Sequence, residues 1–249
     1  MFLKLRPFFH SLLFLFGLEF IVYVHLNTRL VLFAMVILLF FSLWGGKLIG
    51  GKWKFSILPI FFTLSSISLL YLVTLNYEQQ IFILVASSMY YLALFGAYRL
   101  GKYAKDQTAK GMNMAATAAT IFFTYAGAYG LYLNFLVPLY ILMLAYFTIT
   151  LLVSYQYFSI IKDNERKTVL VYSFLLGLSM MEISWAMNSW PFGYLTTGVI
   201  ALIIYHVLWS ITQSYFLGIL SQKRTIINLL FFSFLIIIVL LSAKWIPVI

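Results

Sequence analysis

Hydrophobic residues run along this chain in long stretches, which short polar or basic segments separate. A helix that spans a membrane needs about 20 mainly apolar residues, because the hydrocarbon core is about 30 Å thick and each residue rises about 1.5 Å. Segmenting the sequence at that length predicts nine spanning helices. They cover residues 8–26, 30–47, 55–75, 81–100, 112–133, 135–161, 168–187, 194–220 and 226–243. The predicted fold class is therefore an all-α, polytopic transmembrane helix bundle, with residues 1–249 forming a single integral membrane domain.

The composition supports a membrane protein and excludes an ordinary soluble fold. The chain is 64% hydrophobic and 9% charged, whereas a globular chain is about half apolar and about a quarter charged. A soluble domain of this length exposes a large surface to water, so only a protein whose outer surface meets lipid can use so many apolar residues. Membrane lipid is accordingly the first partner that we expect.

The basic residues predict the orientation of the helices. Although the net charge is +10, these residues are spread over the short connections, so they orient membrane helices and do not form a nucleic-acid surface. Fourteen of the 16 lie on one side of the predicted topology, namely Lys4, Arg6, Lys47, Lys52, Lys54, Arg99, Lys102, Lys105, Lys110, Lys162, Arg166, Lys167, Lys223 and Arg224. Only Arg29 and Lys244 lie on the other side. This bias predicts a cytoplasmic N-terminus and, with nine helices, an external C-terminus.

The helix predicted at 112–133 differs from the others because small residues recur along it. A repeat of four residues places small side chains on one face, at Ala116, Thr120, Thr124 and Ala128. Small residues let membrane helices approach closely. We expect this helix to lie inside the bundle and to be packed through these four positions. The helix at 226–243 carries large aliphatic and aromatic residues, and we expect it to face lipid.

Two carboxylates lie within predicted spans, Glu19 in the first and Glu182 in the seventh. An ionisable group at membrane depth is costly, so it suggests a function and requires a partner. Both lie about 8–10 Å from the outer end of their helices and could line one outward-facing cavity. Trp185 follows Glu182 by one turn, and its indole or the Ser179 hydroxyl could hydrogen-bond to the carboxylate. Glu182 is then either a buried structural group or a participant in transport or chemistry.

His206 and Gln213 are the other polar candidates at membrane depth. His206 lies deep in the eighth predicted helix and shares a face with Trp209 and Gln213. A pair with Glu182 would need a tilt, or a break at Gly198, because straight helices place the two side chains roughly 9 Å apart in depth. We therefore favour a histidine that packs between helices.

No pattern of residues indicates a cofactor or a catalytic metal. The chain has no cysteine, which excludes disulfides, thiolate metal sites and cysteine nucleophiles. The sequences H-E-x-x-H, D-x-D and G-x-S-x-G do not occur. The segment 46–52 resembles the beginning of a phosphate-binding loop, but Trp53 stands where that motif needs Ser or Thr. We predict no cofactor, no metal and no enzyme of these classes.

Across roughly its C-terminal half, the chain resembles an uncharacterised family of polytopic membrane proteins that is typical of candidate-phyla bacteria. Three segments carry the likeness: Met112–Ile121, the step from Glu182-x-x-Trp185 to Trp190-Pro191, and the closing Ala243-Lys244-Trp245-x-Pro247. The family has no assigned activity. The resemblance implies a multi-helix protein of the bacterial cytoplasmic membrane and nothing more specific.

Two classes of function remain open on the sequence. The first is a non-enzymatic subunit or scaffold of an envelope complex. Its partners would then be other membrane subunits. The short connections between helices and the lack of catalytic motifs favour this class. The second is a transporter of small molecules or lipids, or an intramembrane enzyme, that uses Glu19, Glu182 and His206. A polar cavity that joined these residues would favour the second class.

Overall fold

A computed structural model of the chain describes residues 2–24, 27–103, 105–135, 137–161 and 166–243. These residues form nine α-helices and one short 3-10 helix, and within them there is no strand. The helices are α1 (Phe2–Tyr23), α2 (Thr28–Gly50), α3 (Ile57–Leu72), α4 (Asn76–Lys102), α5 (Gln107–Asn134), α6 (Leu139–Ile161), α7 (Arg166–Met187), α8 (Tyr194–Phe216) and α9 (Gln222–Ser242), with the 3-10 turn Trp53–Ser56 before α3. The predicted all-α fold is confirmed.

Eight of these nine helices are long and apolar enough to cross a membrane, and α5 is the exception. Its length of 28 residues is sufficient. It falls short in hydropathy because Ala, Gly, Thr and Asn occupy many of its positions. Those same residues are the ones that favour close packing, so a lower hydropathy is expected for a helix that meets little lipid.

The helix ends differ from the predicted ones where glycine or proline intervenes. Helix α8 ends at Phe216 and not at residue 220, because Gly218 adopts a left-handed conformation (φ +68°). The Ile219 N–H then donates to the Ser214 carbonyl at 3.0 Å, which closes the last turn. Helix α6 begins at Leu139 and not at residue 135, directly after Pro138. Helix α1 begins earlier than predicted, at Phe2, and includes Pro7.

The chain divides into two compact units, residues 1–120 and 121–249, and the boundary falls within α5. The prediction of a single membrane domain is not tested by this division. In the N-terminal unit, α1 packs on α4, and the Ser11 hydroxyl donates to the Ser87 carbonyl at 2.7 Å. A Cβ at Gly101 would lie 2.6 Å from the Gly50 carbonyl oxygen. The ends of α2 and α4 therefore lie together, as alternating helices require.

The C-terminal unit contains the second half of α5 and the four helices that follow. Helices α6 and α7 pack closely, since a Cβ at Gly177 would lie 3.0 Å from the Phe147 carbonyl oxygen. Helix α9 contacts α8 and has no buried residue. Its large apolar side chains are exposed, Leu241 to 80%. The prediction that this helix faces lipid is consistent with that exposure.

Some predictions concern residues outside the described part of the chain. Lys162 and Lys244, which enter the count of basic residues, are among them, and so are Trp245 and Pro247 of the closing motif. The orientation predicted from the basic residues stays a prediction.

Candidate functional site

Glu19 lies in the N-terminal unit, near the C-terminal end of α1. It is half-buried, and Gln80 at the start of α4 donates through Nε2 to its Oε2 at 3.1 Å. Gln80 also borders an open cleft of about 870 Å³, which Gln79, Asn76 and residues near the end of α3 line. The Glu19 carboxylate thus has a neutral amide partner within its own unit.

Glu182 and Trp185 lie on the exposed side of α7, in the C-terminal unit. Both side chains are exposed, Trp185 to 62%. The structural alternative of a buried Glu182 is therefore wrong. The proposed bond from Ser179 is also wrong, because that hydroxyl donates to the Leu175 carbonyl at 3.0 Å, within its own helix. A shared cavity with Glu19 stays a prediction.

His206 packs between α8 and α9, as expected for an interhelical histidine. Its ring centroid lies 5.2 Å from that of Phe232 and 5.5 Å from that of Trp209. Within the described residues it forms no hydrogen bond to Glu182. Gln213 makes a different contact, because its Nε2 donates at 3.5 Å to the Tyr157 hydroxyl on α6. His206 and Gln213 therefore serve separate helix contacts.

Three of the four small residues that repeat along α5 are buried. Ala116 and Thr120 are fully buried and Thr124 is nearly so, while Ala128 is half-buried. The Thr120 hydroxyl donates to the Ala116 carbonyl at 2.7 Å. In the range 120–130, every residue except Phe122 and Ala128 is buried. The packing role predicted for these four positions stays a prediction.

Sequence reasoning missed a chain of buried hydroxyls in the N-terminal unit. Tyr90 on α4 donates to Ser42 on α2 at 3.0 Å, and Ser42 lies 2.6 Å from Thr63 on α3. Because the Thr63 hydroxyl donates to the Pro59 carbonyl at 2.9 Å, Ser42 must donate to Thr63. The chain therefore joins three helices and ends on a backbone acceptor.

A second set of buried hydroxyls joins α5 to α6 in the C-terminal unit. The rings of Tyr125 and Tyr146 stack at 4.1 Å, and the Tyr146 hydroxyl donates to the Tyr125 carbonyl at 3.1 Å. The Tyr125 hydroxyl lies 2.6 Å from Thr150, which donates to the Tyr146 carbonyl. The contact is thus reciprocal. The abundance of tyrosine, 18 residues, was a signal for it, because a buried tyrosine hydroxyl usually needs a partner.

Asp106, just before α5, is the acid with the strongest partners in the described residues. Its Oδ1 accepts from the Ala109 N–H at 3.1 Å and so caps the helix, while its Oδ2 lies 2.7 Å from Arg99 Nε. The bond from Ala109, and then the Arg99 guanidinium, lower the pKa of Asp106 below its usual value. This pair fixes the connection between α4 and α5.

The described residues contain no group of three or more His, Cys, Asp and Glu side chains that could hold a metal ion. In comparisons with known proteins, the family described as a protein of unknown function, DUF5656, matches residues 45–242. The match begins well before the half of the chain in which the resemblance was seen. No curated protein and no solved structure gives a significant match.

Proposed function

Because the chain belongs to the DUF5656 family, whose function is unknown, we propose its role from its own residues: it acts as a non-enzymatic subunit or scaffold of a complex in the bacterial cytoplasmic membrane. The general basis of this role is a multi-pass helical architecture, since eight helices of the described residues are long and apolar enough to cross a membrane.

The observation that carries the proposal is the position of Glu182 and Trp185 on the exposed side of α7. Glu182 lies about 8 Å before the end of that helix, so in the predicted topology we expect it in or near the outer interface of the membrane. A carboxyl at this depth is costly without a partner. The described residues of the chain give it no hydrogen bond, so we assign the partner to a helix of another membrane protein that presents a hydrogen-bond donor.

The buried polar groups support the same proposal. Both hydroxyl chains end on backbone carbonyls, and neither contains a carboxyl group, an imidazole or an amine. A proton relay or an acid–base site usually uses one of these groups, because a carboxyl group or an imidazole titrates closer to neutral pH than a tyrosine phenol does. Hydroxyls that are paired in this way hold helices together, which is what a scaffold requires.

Assembly of variants in native membranes tests the proposal. Glu182→Gln keeps the shape and the hydrogen-bonding capacity of the side chain, whereas Glu182→Ala leaves the partner unpaired at a cost of about 1–3 kcal/mol. We expect the Gln variant to migrate with the same complex as the wild type and to restore a deletion strain, and the Ala variant to do neither. Glu78→Ala, which removes an exposed carboxylate at the start of α4, is the matched control and should assemble normally.

Two outcomes would count against a subunit role. If Glu182→Ala assembles as the wild type does, the exposed carboxyl binds no partner. If Glu182→Gln folds and assembles but fails to restore the deletion strain, proton exchange or charge at Glu182 matters. The second outcome would favour the transporter or enzyme that uses Glu19, Glu182 and His206.

A further inference from the structure

The hairpin that joins α8 to α9 contains a polar pocket at the end of the two helices. The pocket has a volume of about 60 Å³. All its lining residues except Ile211 and Ile219 are polar, and they are Ser210, Ser214, Ser221, Arg224, Thr225 and Asn228. Such a concentration is unusual in a chain that is 64% hydrophobic. The pocket lies beside the connection between two helices that are long and apolar enough to span a membrane, so we expect it at the level of the lipid headgroups.

Arg224 gives the pocket a positive charge that nothing in the described residues neutralises. The guanidinium forms no ion pair there, the Arg99–Asp106 contact being a different one. Arg224 also lies in the first turn of α9, which has no acidic residue. A cation at that end is unfavourable next to the positive end of the helix dipole. An anion in the pocket would remove this penalty.

The shape and the donors of the pocket match a phosphate group. One water needs about 10–15 Å³ of such space, so the pocket admits a group of a few heavy atoms. Guanidinium binds phosphate oxygens with two parallel hydrogen bonds, and serine hydroxyls can add further donors. Phosphate is the abundant anion at headgroup level.

An apolar cleft lies next to the polar pocket. It has a volume of about 380 Å³, and Leu220 and Ile226 are among the residues that line it. Ile211 and Thr225 line both spaces, so the two are contiguous. A phosphate group beside an apolar cleft is the arrangement that a phospholipid requires, with its headgroup in one space and an acyl chain along the other.

We propose that the polar pocket and the apolar cleft of the α8–α9 hairpin together bind one anionic phospholipid, whose phosphate is held by Arg224 and Ser214. The basic residues predict that this hairpin faces the cytoplasm, where the leaflet carries anionic lipid. The lipid would fill the space between the inner ends of α8 and α9. The site uses none of the residues assigned to the protein contact on α7.

Native mass spectrometry of the purified full-length protein, titrated with phosphatidylglycerol, tests the proposal. Arg224→Gln should weaken binding of the first lipid about tenfold, because it removes a hydrogen bond to a charged group. Lys223→Gln is the matched control, since Lys223 is the adjacent exposed cation and does not line the pocket. It should change binding by less than about twofold. Equal losses in the two variants would show general attraction and would overturn the proposal.

Two further arms identify the ligand. Ser214→Leu fills the pocket and keeps every charge, so it should weaken phosphatidylglycerol as Arg224→Gln does; normal binding to this variant would overturn the site. Inorganic phosphate at the same concentration should displace little lipid. Complete displacement would mean that free phosphate is the ligand, and equal binding of phosphatidylcholine would mean that the site does not select an anionic lipid. Either result would refute the assignment.

Discussion

Gly198 on α8 is a position where one added methyl group would meet the backbone of a neighbouring helix. A Cβ at this residue would lie 2.8 Å from the Cβ of Ala126 on α5, 2.9 Å from its Cα and 3.0 Å from its backbone nitrogen. Ordinary van der Waals contacts begin at 3.4 Å, so the distance from the new Cβ of Gly198→Ala to the Ala126 Cβ would be 0.6 Å too short. Two of the three atoms belong to the backbone, so the helices themselves must move apart.

The expected free energy follows from two opposing terms. Overpacking of this kind costs about 1–3 kcal/mol, and replacing glycine by alanine inside a helix returns about 1 kcal/mol. Gly198→Ala should therefore lower the free energy of unfolding by about 1 kcal/mol. Gly111 on α5 has nothing within 4 Å of its added Cβ. Gly111→Ala is thus the matched control, and it should raise the free energy of unfolding by up to about 1 kcal/mol.

Titration of the purified protein with sodium dodecyl sulfate in mixed micelles, followed by tryptophan fluorescence, measures both changes. Combining Gly198→Ala with Ala126→Gly removes the closest of the three contacts and should recover part of the loss. If Gly198→Ala is at least as stable as Gly111→Ala, the close approach of α8 to α5 is not present in the folded protein.

Three other predictions follow from the buried helix, the charged connection and the topology. Ala116→Leu should reduce the folded yield, measured by gel filtration, by more than Ile236→Ala, since Ala116 is fully buried and Ile236 lies on α9, which has no buried residue. Equal yields would contradict the packing role predicted for the small residues of α5. Because the folded pKa of Asp106 is lowered, its contribution to stability is present above the unfolded value of 3.8 and disappears as the pH falls through the folded pKa. In Asp106→Asn the melting temperature should therefore fall less between pH 6 and about pH 3 than it does in the wild type. The same fall in both proteins would refute this contribution of Asp106. Cysteine at Lys105 should react with an impermeant label only from the cytoplasm and cysteine at Gln79 only from outside, and the reverse pattern would invert the topology.

Apolar runs were sufficient to predict the helices, but not where each one ends. Length and hydropathy locate a span because the hydrocarbon core imposes its thickness on the chain. The ends depend on single residues. Gly218 stops α8 through its positive φ, and Pro138 precedes the first residue of α6. Neither residue changes the mean hydropathy of its apolar run enough to mark the end of the helix.

The burial of α5 agrees with the repeat of its small residues, with one instructive exception. Positions four apart turn by about 40° beyond a full circle, so Ala128 is rotated by roughly 120° from Ala116. Ala116 is fully buried and Ala128 is half-buried. Residues spaced four apart therefore drift around the helix, and they stay buried over three repeats only if other helices surround it. The burial of nearly every residue in the range 120–130 comes from such neighbours, and the sequence of α5 does not specify them.

The exposure of Glu182 could not be predicted, for a reason that applies to membrane helices generally. In a soluble helix the polar face marks the outside. In lipid both faces are apolar, so α7 shows no periodic contrast that separates inside from outside. Sequence reasoning places a lone carboxylate of such a helix inside the protein, because neighbouring helices could supply its partners. Tertiary packing decides otherwise here, and only Ser173, Ser184 and small or apolar residues of α7 are buried.

Neutral and ionisable groups are thus distributed differently in this protein, and the difference directs attention to its perimeter. The buried polar residues in the described part of the chain are Ser, Thr, Asn and Gln, together with tyrosines whose hydroxyls are paired. Neutral hydroxyls bind helices to one another without the cost of burying a charge. Glu182 and Arg224, in contrast, are exposed at or near the two ends of spanning helices. Neither side chain forms a hydrogen bond or an ion pair within the described residues, so each would gain a partner from outside the chain. We therefore expect substitutions of the buried hydroxyls to change stability, and substitutions of Glu182 and Arg224 to change what the protein binds.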